Sequence, residues 1–419
     1  MSGVFELVGM ALAFTLIVIM VNRRVPLGPA LLGSSLLMGI VAHGLTPLGA
    51  WATITTMAKA TVQRDTLELV AVVAEITVLA RMMRDYNLLD TMVSSLSELL
   101  RSSKLTMAAV PGLVGCLPVL GGAFISAPMI DALGNKLDLS PQKKSAINLV
   151  FRHAWFFVFP FAPALIVASK VADVGIFDLV KVQLPLTAAS LLFAYWFYFR
   201  GVNERPVATN GHTPGQALRT FLLNGGPLLF GLVLGVGIPI PGLHYTVRAP
   251  LYVALLLGIA FALFVSRGHP DFSFTILYRG IDLLLVLTMV GVMTFRAMVN
   301  SLSVVPLLIG QMVSTGFPVV GLFFVIPFLI GLITANQSTT VGVTFPLLLP
   351  MVPPGAGRVP YAMLAFVSSY AAYFLSPLHL CQVLTLQYFR TTLAKVYPLV
   401  VPVLLTMLAT AFVTFSVIR

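Results

Sequence analysis

Ten apolar stretches, each close to the length that crosses a bilayer as a helix, recur along the chain at 4–21, 26–44, 66–84, 145–170, 178–200, 218–242, 246–266, 281–300, 360–390 and 395–418. In hydrocarbon every backbone N–H and C=O must be satisfied within the protein, so stretches of about 20 residues fold as helices. Only 9% of the 419 residues are charged, against roughly a quarter in soluble domains. The sequence therefore specifies an all-α polytopic membrane protein.

The net charge of +11 is informative through its placement. Sixteen Lys and Arg, among them Arg23, Arg24, Lys143, Lys144 and Arg390, fall in loops that are cytoplasmic if the N-terminus is outside. Only six, such as Lys59 and Arg358, fall in the opposite loops. This is the positive-inside bias of a multi-pass protein with both termini outside, and it gives no reason to expect a nucleic-acid partner. The first apolar run lacks a basic start and a small-residue cleavage site, so it is expected to be retained as a span. Cys116 and Cys381 lie in apolar segments and are expected to be small packing residues, in neither a disulfide nor a metal site.

The chain also matches itself at an offset of about 215 to 218 residues. Ala154-Trp155-Phe156-Phe157-Val158-Phe159-Pro160 aligns with Ala371-Ala372-Tyr373-Phe374-Leu375-Ser376-Pro377, and VLARMM (78–83) aligns with MTFRAM (293–298). The loop charges make the span at 4–21 run inward and its counterpart near 219–236 run outward, which predicts two repeats of inverted topology. These are residues 1–205 and 218–419, joined by a polar linker at 206–217. Inverted repeats are characteristic of secondary transporters.

Between the third and fourth spans of each half lies a segment too short to cross twice, and in the first half the basic residues at its ends, Arg101, Lys104 and Lys136, belong on one side. Re-entrant hairpins are expected at 105–142, with its tip at Gly121-Gly122, and at 317–358, with its tip at 334–340. Pro160 and Pro163 should break the helix at 145–170, and Pro377 the one at 360–390, because proline lacks the helical N–H and obstructs the preceding turn. Broken helices present N–H dipoles to anions and free carbonyls to cations. The substrate is accordingly expected among Gly121, Gly122, Ser126, His153, Asn336, Thr339, Thr340, Ser376 and His379. A coupling ion is expected at oxygens of Gly121, Ala123, Asn336, Gln337, Ser338, Leu375 and Ser376.

After Asp282 the last 137 residues contain no Asp or Glu, which disfavours a cationic substrate and points to a small anion. Sodium is the expected coupling ion over protons, since sodium needs only carbonyl, hydroxyl and amide oxygens, while a proton needs a titrating group such as His379. No cofactor and no resident metal are expected. Arg152 is expected to be tied to hairpin carbonyls or to Asp131 or Asp138, with a charge facing an inward-open cavity as the alternative. Glu75, Arg81, Asp282 and Arg296 are expected in ion pairs or at the interface. The chain offers no clustered His/Glu metal set and no nucleophile motif, so an enzyme is not expected. The alternatives to a transporter are an intramembrane enzyme using His153 or His379 as acid/base on a lipid-linked substrate, and a channel.

The segment GGAFISAPM (121–129) followed by INLVFRHAWFFVFPFAPALIVAS (147–169) resembles an uncharacterised prokaryotic membrane family, a domain-of-unknown-function group, of the ion transporter superfamily. The resemblance covers essentially the whole chain. More distantly, the layout is similar to divalent anion/sodium symporters, citrate and gluconate permeases and the large membrane subunits of tripartite periplasmic transporters. The resemblance implies the prokaryotic cytoplasmic (inner) membrane, a homodimer, a scaffold domain, and a transport domain of two hairpins and two broken helices that moves as an elevator. The symporters hold sodium and a carboxylate on Ser-Asn-Thr motifs. Gly121-Gly122, Ser126, Asn336 to Thr340 and Ser376-Pro377 match that pattern in part, and Phe159-Pro160 departs from it.

Overall fold

The computed structural model describes the chain apart from residues 1, 45, 118–121, 207–212, 237, 240–245, 248–249, 305–317 and 354. Its first half carries α1 (Ser2–Asn22), α2 (Leu27–His43), α3 (Pro47–Val62), α4 (Arg64–Asp85), α5 (Leu88–Leu100), α6 (Ser103–Gly115), α7 (Gly122–Lys136), α8 (Pro141–His153), α9 (Pro163–Ala172) and α10 (Ile176–Phe199). The second carries α11 (Pro214–Val236), α12 (Leu251–Val265), the single turn α13 (Ile276–Arg279), α14 (Leu283–Asn300), α15 (Val319–Thr334), α16 (Gln337–Leu348), α17 (Arg358–Leu375), α18 (Leu380–Tyr388) and α19 (Leu393–Ile418). A two-residue antiparallel pairing of Ile238–Pro239 with Thr246–Val247 is the sole ladder among the described residues.

Local sequence sets many helix ends. Thr46, Ser102, Ser140, Asp282 and Asn336 accept backbone N–H groups of the first turns of α3, α6, α8, α14 and α16, which satisfies donors the helix leaves free. Asp282 thus serves as an N-cap, where an ion pair or interfacial position was expected.

Among the described residues seven helices are long and apolar enough to cross a membrane: Gly3–Val21, Ile176–Phe199, Pro214–Leu234, Leu251–Gly268, Leu283–Asn300, Arg358–Tyr388 and Leu393–Ile418. This makes the chain an all-helical, multi-pass membrane protein. Three of the ten expected spans are not among these seven, for distinct reasons. Leu27–His43 is apolar but shorter. The helix over 66–84 begins at Arg64 and ends at Asp85, bringing charge into both of its terminal turns. The stretch 145–170 is two helices. The expected span at 246–266 begins as helix only at Leu251. Apolar side chains on the outer helices, such as Leu192 on α10 and Val413 and Val417 on α19, stand exposed, as a surface facing lipid requires.

The helices pack in two groups. In one, α1 lies on α2, α2 on α14, α14 on α4, α4 on α12 and α12 on α11. In the other, α6 packs on α8 and α15 on α17, while α7 reaches α18, α16 reaches α9, and α10 lies along α19. Residues 202–206 run across the start of α6. Glu204 accepts from Ser103 N (2.8 Å) and Ser102 Oγ (2.9 Å), and Ser102 bridges to Pro206.

Candidate functional site

The centre of the second group is built by two interruptions. α8 ends at His153, a 3-10 turn (Ala154–Phe157) follows, and the helix resumes only at Pro163. α17 ends at Leu375, and α18 starts at Leu380 with His379 as its N-cap. Pro160 lies in the first gap, Pro163 opens α9, and Pro377 lies in the second gap, each where a missing N–H and a fixed φ leave the helical ladder incomplete. The second gap is stitched to the neighbouring hairpin. Ser376 Oγ donates to the Leu332 carbonyl (2.7 Å) and accepts from Leu378 N (3.3 Å), while Tyr397 OH donates to the Leu375 carbonyl (2.7 Å).

The interruptions bring His153 and His379 together, one from each half of the chain. Their ring centroids are 4.9 Å apart and nearly perpendicular, and both side chains are buried. His153 Nδ1 lies 2.7 Å from the Leu149 carbonyl. A carbonyl only accepts, so Nδ1 carries the hydrogen and, in the neutral ring, Nε2 bears the lone pair. His153 Nε2 and both ring nitrogens of His379 make no hydrogen bond. Tyr373 lies against His379 with ring centroids 3.9 Å apart and planes tilted by 42°, and Phe156 and Phe374 stand edge-on to His153.

Cys381 Sγ completes a group with the two imidazoles, whose candidate ligand atoms all lie within 4.8 Å of one another. The sequence reading expected Cys381 to be a packing residue and found no metal-type cluster; the fold assembles one, because α18 folds back beside the end of α8. A soft metal ion is the cation such a donor set suits. Arg152 decides against a divalent ion, because its guanidinium lies against Cys381, Cys116 and Tyr373. Arg152 is only 3% exposed, and neither Asp131 nor Asp138 holds it. Asp131 pairs with the buried Lys144, which the sequence reading had placed in a loop, and Asp138 pairs with Arg205.

The other expected residues are distributed as follows. Gly121 lies outside the described residues, and Gly122 and Ala123 open α7. Ser126 on α7 donates to Asn148 Oδ1 on α8 (2.6 Å), whose Nδ2 donates to Thr385 on α18 (3.4 Å). This polar thread joins the first hairpin to both interrupted helices. The second hairpin turns at Ala335 and Asn336 alone, a tighter turn than the expected 334–340. Asn336 Oδ1 accepts from Thr339 N (2.9 Å), and Thr340 Oγ1 bonds Asn336 O (2.9 Å) and Thr334 Oγ1 (3.1 Å). Gln337 is buried with neither amide atom hydrogen-bonded, whereas Ser338 is only partly buried. Glu75 is partly buried with one carboxylate oxygen unbonded; Arg81 pairs with Asp85, and Arg296 donates to the Lys170 carbonyl at 2.8 Å.

Neither Cys381 nor Arg152 is among the residues at which the sequence places the substrate or ion. The signal was there in part, since both are heteroatom-bearing side chains immediately flanking a proline-broken stretch.

Residues 7–418 match the family described as "Protein of unknown function (DUF401)". No curated protein matches the chain. Among solved structures, the chain is similar to Neisseria gonorrhoeae MtrF, at 14% identity and a TM-score of 0.54, over 88% of this chain and 84% of that one. MtrF is described as illuminating a class of antimetabolite efflux pumps.

Proposed function

The chain belongs to the family described as "Protein of unknown function (DUF401)", and from that membership, its fold and its site we propose a secondary active transporter of a small anion. It works by elevator-type alternating access in the cytoplasmic membrane, coupled to a cation, with sodium preferred to protons. The observation that carries the reading is the meeting of two interrupted helices at His153 and His379, where buried polar atoms lack partners within the protein. Unsatisfied polar groups in a membrane interior are retained where a ligand completes them. The fold shared with an efflux pump supports a transport role.

The packing supports a two-fold arrangement of the halves and a place in the ion transporter superfamily. The contact of α2 with α14 has its counterpart in α12 with α4, and that of α7 with α18 in α16 with α9. Gly115 closes against the Arg152 backbone on α8, and Gly331 closes against the Ser369 carbonyl on α17. Both contacts let a hairpin arm lie directly on an interrupted helix. In the elevator, the second packing group forms the moving unit and the first the scaffold, in a homodimer.

Purified protein in proteoliposomes tests the reading. A transporter gives saturable counterflow; ohmic conductance indicates a channel, and turnover indifferent to vesicle sidedness indicates an enzyme. Replacing sodium by choline over about pH 5.5 to 8, with and without a proton gradient, separates the coupling ions around histidine's ordinary range. Sodium-dependent uptake is expected. Uptake that ignores sodium, follows the proton gradient and loses that dependence in His379→Gln overturns the choice of ion.

A further inference from the structure

We propose that Arg152 is the residue that binds the transported anion, and that the site takes a singly charged oxyanion such as a monocarboxylate. The inference deepens the transporter reading and rests on it for the fate of the anion, but not for the binding itself.

It follows from a census of acids. None of the fourteen Asp and Glu falls among the undescribed residues, so each carboxylate in the chain has a known place. The nearest in sequence, Asp131 and Asp138, are taken by Lys144 and Arg205, and Asp173 faces Arg358. No ion pair joins any acid to Arg152, whose neighbours are Cys381, Tyr373 and Cys116, with a hydrogen bond to the Cys381 side chain as its one polar contact among them. Its Nε and Nη1 are buried and make no hydrogen bond. Ser126, Asn148 and Thr385 satisfy one another, whereas His153 Nε2 and both ring nitrogens of His379 share the unbonded state of the guanidinium. A guanidinium keeps its charge at any physiological pH, and a buried charge without a partner is strongly destabilising. The counter-charge therefore comes from outside the chain.

The geometry sets the class. Nε and one Nη of a guanidinium form a planar fork that two oxygens of a carboxylate or similar oxyanion match. His379, with both ring nitrogens free of hydrogen bonds, supplies an N–H beside it. With both histidines neutral, Arg152 is the one formal charge among these groups, so one negative charge neutralises the site and a second is left over.

The test uses purified full-length protein in detergent, in a low-salt zwitterionic buffer at about pH 8, above histidine's ordinary range. Thermal unfolding is followed with propionate and nitrate as monoanions and with succinate and sulfate as dianions. Monoanions should raise the midpoint saturably, because a ligand that binds only the folded state stabilises it. Dianions should require at least about tenfold higher concentration, the cost of burying one uncompensated charge being no smaller than a charged hydrogen bond. Equal or tighter binding of the dianions overturns the charge count, and no saturable response to any of the four overturns the proposal. Arg152→Gln should lose the response, whereas Cys381→Asp, which sets a carboxylate beside the guanidinium, should also lose it while unfolding at a higher temperature than Arg152→Gln. A wild-type response in Cys381→Asp overturns the assignment, and the wild-type series remains decisive if a variant does not fold. Binding without flux in proteoliposomes sinks the transporter reading and leaves this one standing, while flux without an Arg152-dependent response does the reverse.

Discussion

Gly115 shows how closely the first hairpin is held to the arginine. A Cβ built on Gly115 would collide with the Arg152 carbonyl, and one on Gly331 would meet the Ala372 Cβ at 2.9 Å and the Ser369 carbonyl at 3.0 Å. Overpacking of this kind costs about 1–3 kcal/mol. Gly115→Ala should lower the unfolding temperature and displace α8 at the level of Arg152, so transport should fall even at a temperature where the variant is folded. Gly33 on α2 has open space around its Cα, and Gly33→Ala should be neutral or stabilising by up to about 1 kcal/mol. Thermal unfolding and uptake of the two variants, measured side by side, check the contrast. Equal behaviour would mean that the close approach of α6 to α8 carries no function.

At the scale of elements, the second helix break is a bonded structure. Proline at 377 leaves the ladder open, and Ser376 and Tyr397 occupy carbonyls at its edge and on the hairpin beside it. Ser376→Ala removes the bond to Leu332 and the acceptor for Leu378 N. It should cost about 1–2 kcal/mol, and amide hydrogen exchange should speed up at Leu378 and along the end of α15. Unchanged exchange there would show that the gap is held by packing alone. The N-cap residues behave in the same local way: Asn336 was legible as a hairpin-tip residue, and its Oδ1 takes up the Thr339 N–H. The extent of the turn was not legible. Five polar residues in a row read as a loop, yet helix α16 starts at Gln337, because Asn336 caps it and the Thr340 hydroxyl bonds back to the Asn336 carbonyl.

For the whole molecule, the charge bias and the inverted repeats expected from the sequence make a topological prediction. Lys143, near the start of α8, and Arg358, at the start of α17, should lie on opposite faces of the membrane. Single-cysteine variants Lys143→Cys and Arg358→Cys in a background lacking Cys116 and Cys381 should react with an impermeant thiol reagent from opposite sides of sealed vesicles. Labelling from the same side would rule out the inverted arrangement.

The sequence alone determined what lipid and backbone chemistry dictate locally. Long apolar runs in a medium without hydrogen-bond partners fold as helices, proline interrupts them where its N–H is missing, and the absence of Asp and Glu after Asp282 leaves that region without a carboxylate. Tertiary structure decided the partners. Nothing in the order of residues says that Lys144 takes Asp131 and Arg205 takes Asp138, leaving Arg152 with neither, or that His153 and His379 stand ring against ring with Cys381 beside them. Pairing is a competition among groups distant along the chain, settled by which helices pack face to face. Arg152 is left without an acid because the two carboxylates nearest to it in sequence on the hairpin side are taken by Lys144 and Arg205.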